Sequence, residues 1–170
     1  MPNPNIRVPR FKNEAEAQAA YVAFGKIAVY WGPVEIGFES ILLSLRHWRG
    51  HPQMGPVSVD FPVSFSKKTR EIRDLLKADS RWTELREKVS AMIHEANTLH
   101  DIRTLVVHGC CEGSNIDGNI AFSVSAQKEG VLARPKQISL DRLNDSAERM
   151  AALASKMGPL WHDIEARARP

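Results

Sequence analysis

Apolar positions along this chain fall into three long helical rhythms, with a short alternating stretch between the second and the third. In the first, Ala20, Phe24, Ile27, Trp31, Val34, Phe38, Ile41 and Leu45 follow one another at steps of four and three. That spacing lays one apolar stripe along an α-helix turned toward a partner. The rhythm crosses Gly32-Pro33 in phase, which predicts a single helix from about Asn13 to Trp48. Proline removes one backbone hydrogen bond and crowds the turn before it, so a kink is expected there. The second rhythm runs Trp82, Leu85, Val89, Met92, Ala96, Leu99, Arg103, Val106, with Asp79 or Ser80 as its cap and Gly109 as its stop. The third runs Leu140, Leu143, Ala147, Met150, Ala154, Met157, Trp161, Ile164, capped by Ser139 and in phase through Gly158-Pro159.

Shorter elements fill the gaps. Gly50, Pro52, Gly55, Pro56 and Pro62 mark residues 49–65 as a long loop. Ser64 or Ser66 then opens a short helix with Ile72, Leu75 and Leu76 on its apolar side, ending near Ala78. Past the second long helix, Ile120, Phe122 and Val124 alternate with small or polar residues, as in a strand. Lys128-Glu129-Gly130 reads as a turn and Val131 to Arg134 as the returning strand. The expectation is one mainly α domain over 1–170, an antiparallel helical bundle with kinked long helices and a small β-hairpin before the last helix. Residues 1–12 read as a flexible tail.

Composition narrows the class without choosing a function. Hydrophobic content of 43% and charged content of 25% are ordinary for a soluble globular protein, and a net charge of +3 permits contact with nucleic acid without requiring it. The two cysteines, Cys110 and Cys111, are adjacent, and the ring they would close is strained, so no disulfide is expected. A reducing, cytoplasmic setting follows. The start has no apolar core of the signal-peptide kind, and the uncharged run from Ile27 to Val34 is too short to cross a bilayer, so no membrane partner is expected. His94, Asn97 and His100 recur at steps of three without acidic partners at ligand spacing. Neither a metal site nor a cofactor is therefore expected.

Candidate chemistry centres on Arg103 and His108. Arg103 occupies a slot where the rhythm wants an apolar residue, and His108 ends the same helix. Polar groups in a buried seam need a partner: a carboxylate, a second copy of the chain, or a phosphate. RNA is cleaved without metal when a base takes the 2′-hydroxyl proton and a cation stabilises the phosphorane. Histidine suits the first task and the planar guanidinium the second. One Arg and one His make a thin site; a symmetric dimer doubles both. Five residues at about 100° each leave the two side chains roughly 140° apart on an ideal helix. They share a face only if the helix loosens near Val107-Gly109 or a dimer axis completes the site.

The bland alternative pairs Arg103 with Glu35 or Glu39 inside the bundle and makes His108 a helix-end residue favoured by the dipole. One of those glutamates also serves to orient Arg103 under the catalytic reading. Lys67, Lys68, Arg70 and Arg73 open the short helix as a basic face able to touch an RNA backbone. Trp31, Trp82 and Trp161 fall in seams and read as core. Trp48, at a helix end beside His47 and Arg49, is the candidate for stacking on a base. Cys110 and Cys111 follow a helix C-terminus and read as packing residues.

The arrangement Arg103-Thr-Leu-Val-Val-His108-Gly109, at the end of a long helix, resembles the HEPN superfamily (higher eukaryotes and prokaryotes nucleotide-binding). Tyr30 to Leu42 looks like that family's first long helix, Phe61 to Leu76 like its connecting segment, and Glu95 to Gly109 like its signature helix. The likeness covers about Ala20 to Met157. It implies a helical bundle, usually a homodimer, with the Arg–His motifs meeting at the interface. Many such proteins are metal-independent endoribonucleases, often toxins or defence effectors; others are non-catalytic modules. By this analogy Arg103 and His108 are catalytic and Thr104 supports them, with RNA as substrate and an antitoxin or a nucleotidyltransferase as partner. Thr104 stands where active members usually carry Asn, Asp or His, a departure that bears on catalysis rather than on fold.

Overall fold

The computed structural model describes residues 8–48, 61–123 and 135–168. Among them the chain is mainly helical. In order come α1 (Glu14–Trp48), α2 (Phe65–Lys77), a single 3₁₀ turn (Ser80–Trp82), α3 (Thr83–His108), β1 (Cys110–Ser114), β2 (Asn119–Ser123), β3 (Lys136–Ser139) and α4 (Leu140–Ala168). No described helix is long and apolar enough to cross a membrane. The long rhythms survive their prolines, since Pro33 lies inside α1 and Pro159 inside α4. Residues 49–60 of the expected loop, and the expected turn and returning strand at 128–134, lie outside the described residues.

The chain divides into two compact units, one of residues 1–30 and 99–149, the other of 31–98 and 150–170. In the first, Ala20, Ala23 and Ile27 of α1, Leu99, Ile102 and Leu105 of α3, and Leu143 and Ala147 of α4 are buried with Ile120, Phe122 and Ile138 of the sheet. The sheet has the order β1-β2-β3, antiparallel throughout. The expected hairpin is thus a three-stranded sheet. Its extra member, β1, begins at the two cysteines: Cys110 pairs with Ser123 and Cys111 with Phe122. β1 is short, holds a glycine and has no β-branched residue, so nothing local marks it; the pairing with β2 makes it a strand.

The N-terminal stretch closes on this sheet. Residues 1–7 lie outside the described residues, but Arg10 of the expected tail bridges Gly113. Its N–H donates to the Glu112 carbonyl at 3.0 Å and its own carbonyl accepts from Ser114 N–H at 2.9 Å. Gly113 sits in a register shift of β1 at φ 109°, where an added Cβ would stand 1.8 Å from the Arg10 carbonyl oxygen. Only glycine meets both demands. Asn13 caps α1 by accepting from Glu16 N–H at 2.9 Å. The Glu16 carboxylate in turn accepts from Lys12 N–H at 2.9 Å and from the Ser114 hydroxyl at 2.6 Å. These donors, the Ser114 hydroxyl foremost, hold the Glu16 carboxyl below the usual carboxylate range.

The second unit holds the larger aromatic side chains. Phe65 of α2 lies edge-on to Trp31 and Phe38 of α1, with ring centroids 5.0 and 5.6 Å apart. Gly37 lets α4 approach closely, because a Cβ there would stand 2.6 Å from the Met157 side chain. Trp82 is buried as expected, whereas Trp161 is only half-buried and donates its indole N–H to Ser44 Oγ at 3.0 Å. In α4 the buried line runs through Leu153 and Leu160 rather than Ala154 and Trp161.

Candidate active site

α3 stays α-helical to its last residue, and Gly109 N–H still donates to the Leu105 carbonyl at 2.9 Å. Over its final turns the buried positions are Leu99, Ile102 and Leu105. The seam therefore steps by three at this end, and Arg103 flanks it instead of lying in it, half-buried. On the other side, Arg103, Thr104, Val107 and His108 form one patch, since residues four apart stack along a helix. Val107 is 44% exposed and His108 is exposed. Val107, a wall of this patch, was not singled out by its residue type; the helical offset from Arg103 is the signal that places it.

Arg103 Nη1 lies 3.0 Å from His108 Nε2. The helix has not loosened to allow this; the long arginine side chain spans the angular gap across Thr104 and Val107. Arginine has no lone pair to offer, so the guanidinium donates and Nε2 accepts. The contact accordingly occupies the Nε2 lone pair. Gly109 then carries the chain directly into β1. It is not left-handed; an added Cβ would instead stand 2.3 Å from the Leu105 carbonyl oxygen, which is why a glycine ends this helix. β1 in turn pairs with β2, whose Phe122 ring lies 5.5 Å from that of Phe24. The Arg–His patch therefore stands on a helix end held by a sheet.

The remaining candidates are placed elsewhere. Glu35 and Glu39 belong to the second unit, where both carboxylates face the ammonium of Lys68: Glu39 in a short ion pair, Glu35 at 3.5 Å. Glu35 also accepts from the Trp31 indole at 3.1 Å. Within the other unit, Arg103 has His108 as its partner. Lys68 is 4% exposed, which corrects its reading as an RNA contact: its charge is spent inside the protein. The signal was available, since Phe65, Lys68, Thr69, Ile72 and Leu76 are all buried and share one face of α2. Lys67 and Arg70 are exposed, as a nucleic-acid contact requires. Trp48 closes α1, and its side chain lies outside the described residues.

Cys110 is exposed and Cys111 half-buried, both as free thiols. Burial pushes the Cys111 thiol up from its ordinary value, away from thiolate. Among the described residues no group of three or more His, Cys, Asp or Glu side chains is placed to hold a metal ion. Comparison with protein-family models, with curated proteins and with solved structures returned no match.

Proposed function

We propose that this chain is a metal-independent endoribonuclease of the HEPN type, a helical bundle working as a homodimer through Arg103 and His108. The observation that carries the reading is the 3.0 Å contact between guanidinium and imidazole on a solvent-facing helix end. A phosphodiester arriving there offers the guanidinium a better acceptor than a neutral ring, because charge-assisted bonds to phosphate are the stronger ones. Arg103 then turns to the non-bridging oxygens and Nε2 of His108 is released as a base. It takes the 2′-hydroxyl proton, the 2′-oxygen attacks phosphorus, and the P–O5′ bond breaks. His108 of a second copy, once its own guanidinium has turned to the phosphate and its Nε2 has taken a proton from solvent, gives that proton to the departing 5′-oxygen. The products are a 2′,3′-cyclic phosphate and a 5′-hydroxyl. Thr104, half-buried between the two groups, offers a hydroxyl to the phosphate, and Lys67 and Arg70 are candidates for more distant backbone contacts. A cytoplasmic toxin or defence role, restrained by an antitoxin or a nucleotidyltransferase, belongs to the same reading through the family resemblance.

The test is cleavage of single-stranded RNA in EDTA, with end-group analysis. Wild type should leave cyclic phosphate, and His108→Ala should lose roughly 10²- to 10⁴-fold in rate. No cleavage by wild type, or equal rates in the variant, removes the enzyme reading. The engaged Nε2 and Thr104 favour a second reading in that event: a non-catalytic module whose Arg103–His108 patch binds an anionic partner without turning it over.

A further inference from the structure

A cavity of about 260 Å³ lies within the second unit, between the C-terminal half of α2 and the N-terminal half of α3. Its walls follow from helical spacing. Arg73, Leu76 and Lys77 share one face of α2, as Val89 and Ser90 adjoin Arg86 on α3. Leu76 and Val89 are sealed beneath the cavity, so the apolar surface open to a ligand comes from the aliphatic stems of Arg73, Lys77 and Arg86. Arg86 is committed to the protein, donating to the carbonyls of Leu76 at 2.9 Å, Lys77 at 3.2 Å and Asp79 at 3.0 Å. The Leu76 and Lys77 carbonyls belong to the negative end of α2, which would otherwise repel an anion. With Arg86 laid across them, that end presents a cation instead. Arg73, half-buried, and Lys77, exposed, have no ion-pair partner among the described residues. Glu87 is the lone carboxylate at the rim, so the lining carries three cations against one anion.

We propose that this cavity binds a small amphipathic anion: a flat apolar body against the aliphatic stems of Arg73 and Arg86, with a phosphomonoester or carboxylate head held by Arg73 and Lys77. The volume lies just below the range of roughly 300–1,000 Å³ usual for small-molecule sites, which suits one ring and one head group rather than a larger ligand. Apolar side-chain stems with two cations free of ion pairs are the pattern such ligands need, the stems giving affinity and the charges orientation. This site is independent of the nuclease reading and survives its failure.

The experiment is a titration of the full chain with phenyl phosphate, followed by amide chemical shifts and calorimetry. Benzoate tests the carboxylate head; inorganic phosphate and phenol test head and body alone. Saturable shifts at Arg73, Lys77, Val89 and Ser90 are expected with phenyl phosphate or benzoate, and the tighter of the two names the head group. Inorganic phosphate and phenol should bind at least tenfold more weakly. Arg73→Gln with Lys77→Gln removes two charges that hold no ion pair and should weaken binding at least tenfold with an unchanged melting temperature. Ser90→Trp, which fills the cavity, should abolish binding with both cations in place. Absence of saturable shifts with either aromatic probe, equal affinity for inorganic phosphate, or unchanged affinity in the double variant overturns the proposal.

Discussion

Replacing Lys68 by methionine keeps most of the side-chain volume and removes the one charge that Glu35 and Glu39 share. The ammonium is nearly sequestered, whereas the two carboxylate side chains are 31% and 35% exposed. At the 3.5 Å separation from Glu35, an effective dielectric of about 20 gives a gross attraction of about 5 kcal/mol. Desolvating the ammonium offsets several kcal/mol of this. Breaking a buried pair by removing one partner costs about 3–5 kcal/mol, and water reaching the carboxylates lowers that to about 2–3 kcal/mol here. For a chain of 170 residues the melting temperature should fall by roughly 4–12 °C. Urea unfolding should show a lower midpoint with an unchanged slope. The decisive comparison is Lys68→Met combined with Glu35→Gln and Glu39→Gln. An ion cluster replaced entirely by neutral groups of similar shape should return to within about 1 kcal/mol of wild type. A loss below about 0.5 kcal/mol in the single variant, the range of an exposed salt bridge, would refute the reasoning. So would a triple variant no more stable than the single one.

Three further outcomes follow from the first unit. Glu16 has a depressed folded value, so its contribution to stability is present above the unfolded value of about 4.5 and fades as pH falls through the folded one. The melting-temperature gap between wild type and Glu16→Gln should therefore be widest above pH 4.5 and close in stronger acid. Gly113→Ala combines a positive φ with a Cβ driven into the Arg10 carbonyl, and should cost more than about 2 kcal/mol in denaturant titration; a neutral result would mean that Arg10 does not hold this position. In timed alkylation with iodoacetamide followed by mass spectrometry, Cys110 should react well before Cys111, whose thiol is shielded and shifted up. Equal rates would contradict the placement of β1.

The long rhythms made α1, α3 and α4 legible, because a stripe sustained over many turns outweighs one proline. Ser139 was legible as a cap as well: its hydroxyl accepts from Arg142 N–H at 3.2 Å. What escaped depended on partners distant in sequence. β1 has no local signature and exists through β2 and Arg10. Lys68 looked solvated because charge was weighed before face; carrying the α2 period back through Phe65 puts it inside. Arg103 and His108 were legible as a pair by residue type, but an ideal-helix angle argued against their meeting. Backbone angles place Cα atoms, and a side chain as long as arginine makes up the difference. Glu35 and Glu39 illustrate the same weighing: the cation they face within their own unit is Lys68, which residue type alone had assigned to solvent.

The single residue between His108 and Cys110 leaves no slack where helix becomes strand. An extra amino acid inserted there would reverse the facing of every β1 side chain if the helix held its place, or turn the imidazole about the helix axis if the strand held. The turn at Asn115–Gly118 is closed by its own hydrogen bonds and is also held from outside, its Ile116 carbonyl accepting from Lys12 Nζ at 2.8 Å and its Asn115 amide donating to Gln137 at 3.1 Å. Gly109 is thus a joint of fixed length, where one residue gained or lost is paid for either by the strand or by the imidazole.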